Sequence, residues 1–127
     1  MANKKIINTE NAPMAIGPYS QAVIYDNLIF TSGQLPININ TQEIISQDFK
    51  EQVYGTLKNI ENLIVSSGSS LDKILKLNVY LTDINNFSIV NDVFIDCFKK
   101  DFPARTLFEV SKLPKNSLIE IDAVCFK

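Results

Sequence analysis

Leu118-Ile119-Glu120-Ile121-Asp122-Ala123-Val124-Cys125-Phe126 alternates with period two. Successive side chains of a strand point to opposite faces, so Ile119, Ile121, Ala123 and Cys125 share one face and Leu118, Glu120, Asp122, Val124 and Phe126 the other. The first face suits a layer of helices. The second mixes apolar and acidic groups and suits either solvent or another subunit. A sheet covered on one side only is therefore expected.

Working outward, Val23 to Thr31 reads as strand, Asp26-Asn27 turn, strand, because Asp and Asn tolerate the backbone of a tight hairpin. From Asp48 the period changes to steps of three and four. Val53, Leu57, Ile60, Leu63 and Ile64 define an amphipathic helix over residues 48–67, with Gly68 placed as its stop. Ile74 to Thr82 alternates as a strand. Asp83 or Asn85 caps a second helix, roughly 86–100, carrying Val90, Phe94, Cys97 and Phe98 on one side. Strands follow at residues 105–110 and 117–126. The order is β-β-α-β-α-β-β, an α+β arrangement in which two helices cover one sheet face. With no linker or repeat, residues 1–127 are expected to form a single domain. The two C-terminal strands, close in sequence, are expected to pair as an antiparallel hairpin. That pairing sets Arg105 opposite the stretch from Glu120 to Asp122, with Arg105 and Glu120 on one face.

The composition excludes several chemistries. There is no histidine, which removes Ser-His and Cys-His nucleophile pairs. Cys97 and Cys125 stand apart, without the spacing of a zinc site. No glycine-rich phosphate loop occurs. The net charge of -2 argues against nucleic acid as partner. No run is long and apolar enough for a membrane span. Residues Met1 to Asn8 lack the apolar stretch of a signal peptide, so a cytoplasmic protein is expected. Arg105 remains the conspicuous group. Either it is a strand end in an ordinary cross-strand ion pair with Glu120, or it grips a substrate carboxylate while Glu120 handles a proton or a water.

Three stretches resemble the Rid family of reactive intermediate deaminases, also called the YjgF family. They are Ile16-Gly17-Pro18-Tyr19-Ser20-Gln21-Ala22, Phe30-Thr31-Ser32-Gly33-Gln34-Leu35-Pro36, and Pro103-Ala104-Arg105-Thr106 followed by Leu113-Pro114-Lys115 and Ile119-Glu120-Ile121. The resemblance implies a chorismate-mutase-like fold assembled as a homotrimer with sites between subunits. It implies hydrolysis of 2-imino acids such as 2-iminobutanoate and 2-iminopropanoate to 2-oxo acids and ammonia, without metal or organic cofactor. It implies that Arg105 binds the substrate carboxylate and that Glu120 positions water or moves protons. Tyr19, Ser32 and Asn91 would line the cleft. Many members carry cysteine two residues after the arginine. Leu107 stands there here, which excludes a cysteine nucleophile at that place. Two other readings of the same residues are a carboxylate-binding regulatory trimer without turnover, and the endoribonuclease or translation-inhibitor label borne by some relatives.

Overall fold

The computed structural model describes residues 3–127, so Met1 and Ala2 of the N-terminal stretch lie outside it. Strands β1 (Lys4–Ile7), β2 (Ala22–Tyr25), β3 (Leu28–Thr31), β4 (Ile74–Leu81), β5 (Ala104–Glu109) and β6 (Ile119–Phe126) form one sheet in the order β1-β2-β3-β6-β4-β5. Helices α1 (Phe49–Ser66) and α2 (Phe87–Phe98) accompany it. Neither described helix is long and apolar enough to cross a membrane.

Local signals account for most boundaries. Asp26 turns the β2–β3 hairpin in the left-handed region, φ 52°. The Asp48 carboxylate accepts the Glu51 N–H at 3.0 Å and starts α1. Gly68, at φ 95°, reverses the chain after the helix, and Ser69 N–H reaches back to the Ile64 carbonyl at 2.9 Å. The predicted stripe is the buried one: Val53, Leu57, Ile60, Leu63 and Ile64 pack into the core with Leu77, Val79 and Leu81 of β4. Asp83 caps a 3-10 turn over Ile84–Asn86 that leads into α2. Strand β1 is the element the periodicity missed. It is four residues long and begins with two lysines at the sheet edge, too short for alternation to register.

The C-terminal pairing departs from expectation. β5 and β6 do not form a hairpin. β5 runs parallel to β4, and β6 lies antiparallel between β3 and β4. Two physical reasons combine. A helix between strands supplies the long crossover that a parallel pair requires, so β4, α2 and β5 form one βαβ unit. Strand β6 also has the greater apolar content on its core face. Ile119, Ile121 and Cys125 are fully buried there and Ala123 nearly so. A fully buried isoleucine contributes about 1.5–3 kcal/mol over an exposed one, which favours the centre of the sheet over its edge. Lys115 and Asn116, both left-handed at φ 58° and 55°, help turn the connecting segment.

The pairing decides which residues share a face. Arg105 lies in register with Leu77, and Leu107 with Val79, so both belong to the helix side. Glu120 lies opposite Tyr80 on the open side. The expected sharing of one face by Arg105 and Glu120 is therefore corrected: within one chain they are on opposite faces. The open face carries Leu28 and Phe30 of β3 opposite Phe126 and Val124 of β6, with Phe108 of β5 against Tyr80. Leu118, assigned to that face by alternation, instead packs against the core just before β6 begins.

Candidate functional site

The helix-side cluster starts with β5. Pro103 leads into the strand, and Ala104 and Arg105 open it. Edge position leaves the Arg105 side chain half-buried beneath α2. Its guanidinium carbon sits 5.3 Å from the Phe87 ring centre and 5.2 Å from that of Phe94. Burial alone pushes its pKa below the ordinary value, with no carboxylate countering the shift. Lys58 and Glu61 make the one ion pair among the described residues. Arg105 is thus a cation removed from much of its water and given no anion. It borders a 360 Å³ cavity together with Asn91, Phe94, Ile95, Phe102 and Pro103. Of the predicted site residues, Asn91 is the one brought to Arg105.

The open-side cluster is built on β6 and on the segment after β3. Glu120 is half-buried and lies against Gly33. A Cβ at position 33 would overlap the Glu120 carboxylate and stand 2.8 Å from its Cδ, so only glycine leaves this space. Burial first, and the neighbouring Asp122 charge second, raise the Glu120 pKa. Asp122 is itself pinned: Asn78 Nδ2 donates to it at 2.7 Å and the Tyr80 hydroxyl at 2.9 Å. Burial and that bond push Tyr80 up to about 12, which keeps it a neutral donor.

Ser32 precedes Gly33. Its hydroxyl donates to the Ser20 carbonyl at 2.5 Å, tying the end of β3 to the loop that carries Tyr19. Tyr19 is 48% exposed, and its hydroxyl accepts the Ile16 N–H at 3.3 Å. Tyr19, Gly33, Gln34 and Lys115 line a narrow cleft.

The predicted residues thus separate into two sets. Arg105 and Asn91 lie on the helix side. Glu120 lies on the open side, and the Ser32–Gly33 turn and the Tyr19 loop adjoin it. Sequence reasoning missed the two phenylalanines around Arg105, the space at Gly33, and the Asn78–Tyr80–Asp122 cluster. A signal for the first was present: Phe87, Asn91 and Phe94 fall at i, i+4 and i+7, one stripe of a helix.

A family model described as endoribonuclease L-PSP matches residues 9–126. A human protein named 2-iminobutanoate/2-iminopropanoate deaminase is 40% identical over 124 residues, covering 98% of this chain and 90% of its own. A crystal structure of a conserved Rid family protein from Yersinia pestis superposes with a TM-score of 0.94 at 45% identity, covering 98% of this chain and 99% of that one. The E. coli protein TdcF, solved with bound serine, superposes at 0.89 with 39% identity, covering 97% and 98%. With the family model spanning nearly the whole chain and relatives of this identity matched end to end, the chain belongs to the Rid (YjgF) family.

Proposed function

We propose that this protein hydrolyses 2-imino acids of the 2-iminobutanoate and 2-iminopropanoate class to 2-oxo acids and ammonia. The observation that carries the reading is Arg105: half-buried, at the mouth of a cavity, and without an ion-pair partner among the described residues. A guanidinium so placed is an open receptor for a planar carboxylate, which it engages through two parallel hydrogen bonds. The human relative's name supports the substrate class, and TdcF with bound serine supports a small amino-acid-like ligand. The endoribonuclease description of the family model finds little support in a chain of net charge -2 without histidine.

Chemically, the protonated imine is already electrophilic. Water adds its oxygen to C2 as the Glu120 carboxylate accepts a proton. That proton passes to the nitrogen, the C–N bond breaks to release ammonia, and the remaining hydroxyl loses its proton as the carbonyl forms. Positioning contributes several kcal/mol and one general acid–base group about 10²–10⁴-fold. Because Arg105 and Glu120 occupy opposite sheet faces of one chain, one site needs the Arg105 cluster of one subunit against the Glu120 cluster of another. We therefore assign the site to the interfaces of a homotrimer, with Tyr19 and Ser32 on the Glu120 side and Asn91 on the Arg105 side. The half-apolar open sheet face supports such an assembly. Generating 2-iminobutanoate in the assay and following its decay tests the reaction. Unaccelerated decay with intact carboxylate binding would replace hydrolysis by ligand binding without turnover.

Two predictions arise here. In Gly33→Ala the clash is with the far end of a flexible side chain, so the protein is expected to keep its melting temperature within a few degrees. The Glu120 carboxylate must move, however, and kcat is expected to fall about tenfold or more, a part of the roughly 10²–10⁴-fold that a general base contributes. Thermal melts and initial rates on the same sample check both halves. The second concerns pH. Glu120 acts in its ionised form, so its raised pKa sets the acidic limb of the kcat profile. Asp122 on β6 and Tyr80 on β4 are titratable neighbours within its own chain, and in the proposed site the neighbouring subunit's Arg105 faces it as well. Asp122→Asn removes the negative charge, makes ionisation of Glu120 easier and is expected to move the acidic limb to lower pH. An unmoved limb would show that another group controls it.

A further inference from the structure

We propose that Phe87 and Phe94 are positioning residues that hold Arg105 as an open anion receptor, a role that rests on Arg105 being the carboxylate-binding group of the proposed site. A half-buried arginine needs compensation for the water it has lost. The usual compensation is a carboxylate, which would occupy the N–H donors and neutralise the charge. Here it comes from ring faces. The guanidinium carbon lies within 5.3 Å of both ring centres, well inside the range of a cation–π contact. Rings stabilise the positive charge through their faces and accept none of its in-plane N–H bonds. With no ion pair to Arg105 among the described residues, its N–H fork is left for an incoming carboxylate.

The helix sets the geometry. Phe87 and Phe94 stand seven residues apart, two turns along α2, with Asn91 between them on the same stripe. The spacing brings both rings to the guanidinium, and Asn91 lines the cavity that Arg105 borders. Phe94 is further braced by Phe98 in an edge-to-face contact at 5.5 Å. The two phenylalanines differ in burial: Phe94 is 5% exposed and Phe87 44%. Phe87 is therefore the clean probe, since its replacement removes little from the core.

The test is calorimetric titration of the full chain with 2-oxobutanoate, an unreactive carboxylate. Leucine keeps apolar bulk and loses the π face, whereas tyrosine keeps the face. Phe87→Leu is expected to weaken binding about threefold to tenfold and Phe87→Tyr to stay near the parent protein. Phe94→Leu is expected to weaken it similarly, with its melting temperature followed because the ring is buried. The Arg105 Hε resonance should also lose part of its ring-current shift in each leucine variant. The proposal is overturned if Phe87→Leu binds as tightly as the parent, or if Phe87→Tyr is as weak as Phe87→Leu. A different result, unaltered binding in Arg105→Ala, would overturn the assignment of Arg105 itself and with it the reading on which the proposal stands.

Discussion

Arg105→Ala is expected to lower kcat/KM for 2-iminobutanoate by about 10²-fold or more while the protein remains folded. Each hydrogen bond to a charged group in a partly buried site is worth about 1.5–3 kcal/mol, and the guanidinium offers a carboxylate two of them. Loss of both removes binding and orientation together. The fold has little reason to fail. Arg105 sits at the sheet edge, makes no ion pair among the described residues, and contributes mainly its contacts with Phe87 and Phe94. Arg105→Lys is expected to be damaged as well, because an ammonium is a point charge that cannot reproduce the parallel pair of bonds. Steady-state kinetics on the three proteins, with circular dichroism as control, measures the effect. Near-parental rates in both variants would reduce Arg105 to a structural strand end.

The second large effect is a gain. Arg105→Ala and Glu120→Gln are each expected to be poorly active alone, yet co-expressed and isolated as mixed trimers they should recover about one third of parental activity. In a cyclic trimer each site joins the Arg105 side of one subunit to the Glu120 side of its neighbour. Any trimer that carries both kinds of subunit sets, in its cyclic order, one intact Arg105 side against one intact Glu120 side, so about one site in three receives both. A site contained within one chain predicts no recovery at all. The experiment uses two affinity tags, purification through both in turn, and light scattering to confirm three subunits. Absence of recovery in a mixed trimer would refute the shared site. A monomer by light scattering would refute the assembly as well.

Much of this protein was legible in one dimension because the signals are local. Period-two alternation in residues 119–126, the stripe of α1, the Asp48 cap, the Gly68 stop and the Asp26 turn each depend on neighbours within a few positions, and each appears in the structure. The short motifs around Tyr19, Ser32, Arg105 and Glu120 were likewise visible as residue types in order, and they sufficed to point to the family. Alternation also settled correctly which residues of β6 face the helices.

Alternation could not say which strand β6 would join. Register within a strand is local, but the choice of partner depends on where the most apolar strand is best buried and on how the α2 crossover returns the chain. Sequence proximity favoured a β5–β6 hairpin; burial of Ile119 and Ile121 at the centre of the sheet outweighed it. That single choice moved Arg105 and Glu120 to opposite faces, and with it removed the shared face that either an ion pair or a site within one chain requires. It also brought Phe87 and Phe94 to the guanidinium and the Glu120 carboxylate to Gly33, contacts between residues many positions apart that no local pattern encodes. The sequence by itself determined the elements, their faces and the chemical groups at hand; only the tertiary structure decided which groups meet, because strand order is set by burial summed over the whole sheet.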